Sequence, residues 1–194
     1  MTPLITAMGS TVYSWDLHLF QAIHPTVPPS PFMLHLARAF ADGPLVLTMV
    51  MLGVMMALPR LSMRSVALKA VTAAAIALIV NALIALVCER ARPFVAGAGQ
   101  AWMTHAATGS FPSDHLTVQW VVAGVLLLDR RTRTWGIGIA LFGLPMAWAR
   151  IYLGVHYPGD MLGAFAMGGL VMLSGWLWLR RSVASTIVPS SSQV

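Results

Sequence analysis

Charge is scarce in this sequence. Of its 194 residues only 9% are Asp, Glu, Lys or Arg, and only six are acidic. A soluble domain carries about a quarter charged residues. The shortage excludes an ordinary water-facing surface, and 58% hydrophobic residues point to lipid as the main solvent. Cysteine is nearly absent: Cys88 stands alone, so no internal disulfide can form, and its place in an apolar run predicts inert packing. No lysine or arginine precedes Arg38. A cleavable secretory signal needs a basic stretch ahead of its apolar one, so none is expected.

What charge there is sums to +6. The basic residues fall in short clusters between apolar runs, as in the cytoplasmic loops of a membrane protein. A nucleic-acid surface is therefore not expected. The length suits one domain, residues 1–181. The polar residues 182–194 read as a disordered tail.

Five apolar segments stand out. The first runs from Phe32 to Leu58, interrupted early by Arg38, Asp42, Gly43 and Pro44 and cleanly apolar only from Leu45. After a loop, Pro59 to Arg64, come Val66–Cys88, Ser113–Leu128, Trp135–Trp148 and Tyr157–Leu179. A span needs roughly 20 apolar residues. A sixth could come from Tyr13–Ile23 or from part of the Glu89–Pro112 loop. Tyr13–Ile23 places Trp15, Leu19, Ala22 and Ile23 on one helical face, with Asp16, His18 and Gln21 elsewhere, and reads as a short interfacial helix. Gly163, Ala164, Gly168 and Gly169 give the last span a small-residue face for close helix contact. The expectation is an all-α polytopic bundle of about six membrane helices.

Alternation of spans puts Arg60, Arg64 and Lys69, then Arg130, Arg131 and Arg133, then Arg180 and Arg181 on one side. These are most of the twelve basic residues, which makes that side cytoplasmic. Three other stretches end on the opposite, outer face: Glu89 to Phe94, Gly109 to His115 and Arg150 to Asp160. Arg90, Arg92, His115, Arg150, His156 and Asp160 would converge there. Singly, each could be a snorkelling or capping residue; together they are a functional candidate. Arginines clasp phosphate oxygens in a bidentate fork. Ser113 occupies an N-cap position, where free N–H groups and the helix dipole favour an anion. Asp160, four residues after His156, is within reach of its ring and could fix its tautomer.

These stretches resemble the signature of the type-2 phosphatidic acid phosphatase family: K-x6-RP, PSGH and SR-x5-H-x3-D. Arg92-Pro93 matches the first, Pro112, Ser113 and His115 the second, and Arg150, His156 and Asp160 the third. The likeness covers roughly Val66 to Leu179. It implies that His156 is the nucleophile that becomes phosphorylated, that Asp160 orients it and that His115 protonates the leaving group. Arg92 and Arg150 would hold the phosphoryl oxygens, Ser113 would add donors, and neither metal nor cofactor would be needed. Three positions depart from the pattern. Ala85 stands where the lysine should be, Asp114 replaces the glycine and Ala149 replaces the serine. Arg90 is the candidate substitute for the lysine. Glu89, Asp114 and Pro112 are further candidates, Asp114 either tuning His115 or capping the helix. The Phe-Pro-Ser-Asp-His run and the doubled arginine before Pro93 resemble the undecaprenyl-diphosphatase branch most.

The expected activity is hydrolysis of undecaprenyl diphosphate to the monophosphate at the periplasmic face of a bacterial inner membrane, with the bilayer and a lipid phosphate as partners. Rival lipids are phosphatidylglycerol phosphate, phosphatidic acid and lipid A, and a lipid phosphotransferase is a further alternative. A small transporter is the rival of another class. Against it, no ionisable residue lies mid-span in Val66–Val87 or Leu116–Leu128, where a relay would need one. His105 and Trp102 would line the headgroup entry; His24 and His35 read as interfacial and structural.

Overall fold

The computed structural model describes residues 14–57 and 61–187. Among them are six helices and no strand. Helix α1 covers 14–23. It is followed by α2 (Pro31–Ala57), α3 (Leu61–Cys88), α4 (Asp114–Leu128), α5 (Arg133–Tyr152) and α6 (Pro158–Ile187).

Helix α4 is the axis of the bundle and packs on α3, α5 and α6. Its apolar residues go all round because protein surrounds it: Leu116, Val121, Val122 and Leu126 are all buried. At 15 residues it is about 22 Å long, short of the ~30 Å hydrocarbon core. Helices α2, α3 (from Met63) and α6 (to Arg181) are long and apolar enough to cross a membrane. Their outward residues are large and apolar: Val50 and Val54, Ile79 and Leu83, Phe165 and Leu173 are all exposed. An apolar belt of this kind suits lipid and would be a large exposed patch in water.

Small residues set the helix spacing. Ala67, Ala70, Ala74 and Ala77 bring α3 against Leu52 of α2 and Val121 and Val122 of α4. A Cβ on Gly168 would stand 2.8 Å from Trp120 Cβ, and one on Gly124 3.1 Å from the Gly168 carbonyl oxygen. The small-residue face of α6 thus comprises Gly163, Ala164 and Gly168, whereas Gly169 meets open space.

Several boundaries differ from expectation. Helix α2 runs unbroken through Asp42, Gly43 and Pro44; of the residues that looked like an interruption, Asp42 lines the site cavity. The expected loop from Pro59 to Arg64 shrinks, because α3 begins at Leu61. Residues 58–60 lie outside the described residues. Helix α6 continues to Ile187, so the first part of the expected tail is helical, and residues 188–194 lie outside the described residues. Between Cys88 and Asp114 there is no helix, so that loop supplies no sixth span. Cys88 is exposed at the end of α3 rather than packed.

The ten described residues of α1 measure about 15 Å, too short to cross. Its burial departs from the amphipathic expectation in part: His18 and Gln21 are exposed and Ile23 half-buried as expected, but other positions are exchanged. Asp16 and Phe20 are buried, and Trp15 and Leu19 are exposed. Phe20 packs edge-on against Tyr157 at 5.4 Å and stacks on His24 at 4.8 Å. That packing lays α1 beside the start of α6.

Candidate active site

Four chain segments meet where α2, α4 and α6 begin and α5 ends. His156 lies in the short link between α5 and α6. Helix α5 closes on Leu153, and Gly154 then takes φ +78°, a left-handed conformation that glycine adopts without penalty. A Cβ there would also run into the Gln100 carbonyl and the His24 ring. This turn swings the chain back so that Pro158 can open α6. His24 braces it from outside, its Nδ1–H donating to the Tyr152 carbonyl at 3.1 Å; that is the structural role expected of it. His35 bonds only within α2, to the Pro31 carbonyl.

The His156 ring is buried and held from both nitrogens. Nδ1 lies 3.1 Å from Asp160 Oδ2, which also accepts the Tyr157 backbone N–H at 2.9 Å. Arg92 Nη1 donates to Nε2 at 2.9 Å. A guanidinium has no acceptor, so Nε2 carries a lone pair and the proton sits on Nδ1, facing Asp160. Burial pushes the His156 pKa well below the ordinary histidine value, and the Arg150 and Arg92 cations add to the effect. The neutral ring thus keeps an Nε2 lone pair, met here by the Arg92 donor, and a neutral ring is the form a nucleophile requires.

Arg92 is buried and fixed by backbone. Its Nε donates to the Thr108 carbonyl at 3.1 Å and its Nη1 to the Val155 carbonyl at 3.0 Å. Burial lowers its pKa, opposed by Asp160 and Asp114. Arg150, fully buried at the end of α5, donates Nη1 to Asp42 Oδ1 at 3.1 Å and Nη2 to His105 Nε2 at 3.0 Å. Burial lowers the His105 pKa, and its bond to the Ala106 carbonyl works against that. The His105 ring stands edge-on to His156 at 5.9 Å. His115, in the first turn of α4, has Nε2 3.5 Å from Asp42 Oδ1. Asp42, Thr104, His105, His115 and Arg150 line one open cavity of about 360 Å³.

Two donors at this site are buried without a hydrogen-bond partner: Ser113 Oγ and Arg150 Nε. Ser113 is the N-cap of α4, yet its hydroxyl makes no capping bond. Its backbone N–H donates to the Asp160 carbonyl at 3.3 Å, which places it near His156. Unsatisfied buried donors are costly, and two of them among three basic side chains suit an anion.

Other expected residues are placed differently. Arg90 does not face the cavity. Its Nη1 donates to Asp160 Oδ1 at 2.9 Å, its Nη2 bonds Asp16, and its guanidinium lies 4.4 Å from the Tyr157 ring centre. Both ends are taken by carboxylates behind His156. Asp114 Oδ1 accepts from Asn81 at 2.9 Å, and Asn81 also donates to Thr117. Asp114 thus ties the start of α4 to α3. Pro112 is buried beside it. Glu89 is exposed, with φ +37° where α3 ends, away from the cluster. Trp102 is an anchor rather than an entry: its backbone N–H donates to the Leu153 carbonyl at 2.9 Å and its backbone carbonyl accepts from Arg38 at 2.8 Å.

Asp42, Asp16 and Ser110 were not singled out as site residues. Asp42 was visible as a charge inside an apolar segment, which was the one available signal. Ser110 Oγ reaches Asp160 Oδ1 at 3.4 Å, and nothing in its surroundings in sequence foretold this.

The chain is similar to known proteins. Residues 66–184 match the PAP2 superfamily. YbjG of Escherichia coli, named for undecaprenyl-diphosphatase activity, is 36% identical over 82% of this chain and 80% of its own length. The undecaprenyl-diphosphatase BcrC of Bacillus subtilis is 38% identical over 54% of this chain and 52% of its own. The fold matches a transmembrane PAP2-type phosphatidylglycerolphosphate phosphatase of Bacillus subtilis with a TM-score of 0.63, at 21% identity, covering 93% of this chain and 89% of that one. With its helical bundle, lipid-facing belt and buried histidine–arginine cluster, this chain belongs to the PAP2 superfamily and is a membrane lipid phosphatase.

Proposed function

We propose that the enzyme hydrolyses undecaprenyl diphosphate to undecaprenyl phosphate and inorganic phosphate through a phosphohistidine on His156. One observation carries this reading. The buried, neutral His156 turns one nitrogen to Asp160 and the other, a lone pair, to Arg92. An arriving phosphoryl group takes over the Arg92 donor and meets Nε2 directly. Arg92, Arg150 and Ser113 hold its oxygens, where charge spreads in the transition state. The N–P bond forms as the bridging P–O bond breaks. His115 gives its proton to the departing lipid phosphate, and Asp42 steadies that proton beforehand. His115, now neutral, takes a proton from the water that cleaves the phosphohistidine, so phosphate leaves and His156 returns.

Residues 1–181 form one domain in this reading. It sits in the bacterial inner membrane, with the site toward the periplasm. The basic residues support that orientation. Lys69 lies by a groove with Asp129 and Trp178, at the helix ends opposite the site, and the positive-inside rule makes that end cytoplasmic. The diphosphate preference follows the two relatives named for it.

Purified protein in detergent, without added metal, should release phosphate from undecaprenyl diphosphate. It should do so faster than from phosphatidic acid, phosphatidylglycerol phosphate or lipid A at equal concentration. Preference for a monophosphate lipid would replace the substrate, and loss of phosphate release in favour of transfer to a second lipid would replace the reaction.

A further inference from the structure

The carboxylate of Asp16 is 3% exposed, in a helix read from sequence as lying on the membrane surface. Its Oδ1 accepts the backbone N–H of Gly159 at 2.7 Å, and its Oδ2 pairs with Arg90. Arg90 passes to Asp160 Oδ1 at 2.9 Å, and Asp160 Oδ2 holds His156. Four groups from α1, the loop after α3 and the start of α6 therefore form a closed ring behind the nucleophile. Gly159 belongs to it, since a Cβ there would stand 2.7 Å from Asp16 Oδ2 and 3.1 Å from Arg90 Nη1.

Docking α1 does not require this charge. Phe20, Leu17 and Ile23 already pack α1 onto Tyr157 and its neighbours, and a buried ion pair is a weak source of net stability compared with apolar contact. What the ring does supply is position. Attack by Nε2 builds positive charge on the His156 ring, and Asp160 must answer it without moving. Arg90 balances the buried Asp160 charge only while its other end is held. Freed from Asp16, the guanidinium could turn to water or to the phosphoryl group, and the first turn of α6 would lose an anion at its N-terminus.

We propose that Asp16 is a positioning residue for the reaction, acting through Arg90 and the Gly159 N–H to fix Asp160 against His156. The inference rests on reading His156 as the nucleophile. The N-terminal helix is then part of the catalytic apparatus although it touches no substrate.

The test uses the full chain in detergent, with undecaprenyl diphosphate as substrate and inorganic phosphate as a competing ligand. Asp16→Asn keeps the shape and an oxygen for Gly159 but loses the charge that holds Arg90. It should lower kcat by about 10–100-fold, the scale set by small misplacements of reacting groups. KM and the inhibition constant of inorganic phosphate should stay within about twofold, and Asp16→Glu should recover part of the rate. Because both residues act through one node, Asp16→Asn with Arg90→Ala should lose less than the product of the two single losses. Asp16→Ala is the harsher version, and Asp16→Asn carries the test if it fails to fold. Wild-type kcat in folded Asp16→Asn, or a loss confined to KM or to the folded fraction, would overturn the proposal. If that happened while His156→Ala was inactive, only the role of Asp16 would fall. Turnover by His156→Ala would remove both readings.

Discussion

At the scale of the residue, the proposed chemistry depends on His156 being neutral and tethered. Burial and the Arg150 and Arg92 cations lower its pKa, so its lone pair persists at pH values where an ordinary histidine, near pKa 6.5, is protonated. The acid limb of kcat/KM belonging to the nucleophile should therefore fall below pH 6.5. An acid limb with its midpoint at or above that value would contradict the assignment. Asp42 offers a second check, being about half exposed yet shared by His115 and Arg150. Asp42→Asn removes one charge-assisted contact, worth roughly 1.5–3 kcal/mol, and kcat/KM should drop about 10–100-fold. An unchanged value would mean that the cavity works without it.

At the scale of the element, the decisive pieces are helix ends. Helix α5 stops, a left-handed Gly154 reverses the chain, and α6 begins with Asp160 facing back. Gly154→Ala forces a side chain into a φ of +78°, at roughly 1–2 kcal/mol before the collision with Gln100 is counted. It should lower the unfolding temperature and reduce kcat together; a variant of wild-type stability and rate would show that the turn tolerates a Cβ. Much of this was legible in sequence. Arg92, Ser113, His115, Arg150, His156 and Asp160 fall in three short motifs, and local spacing fixes which of them share a turn. Asp16 and Asp42 were not legible as site residues, because their partners lie on distant segments, 108 residues away for the Asp42–Arg150 bond. Amphipathic reasoning assigns the polar residues of a helix to water; in α1 that holds for His18 and Gln21, but Asp16 is turned into the protein, onto Arg90. Arg90 reads as a phosphate ligand in sequence because the motif lysine is missing. A neighbouring arginine looks equivalent in sequence, and only the fold reveals that two carboxylates have claimed it.

At the scale of the whole molecule, the enzyme divides its polarity by depth. One end holds the catalytic cluster, the other the basic clusters, and between them lies an apolar belt. Met103 lines the site in its loop, so a Met103→Cys variant in a Cys88→Ser background should react with a membrane-impermeant maleimide in intact cells. Labelling only after the membrane is opened would place the site on the cytoplasmic side. The central claim is the covalent intermediate. Lipid diphosphate labelled with ³²P on its terminal phosphate should, on rapid quenching under alkaline conditions, leave acid-labile label on a peptide containing His156, and His156→Ala should trap none and turn over at least about 10³-fold more slowly. Label on another residue, or a His156→Ala enzyme running at the wild-type rate, would contradict the account.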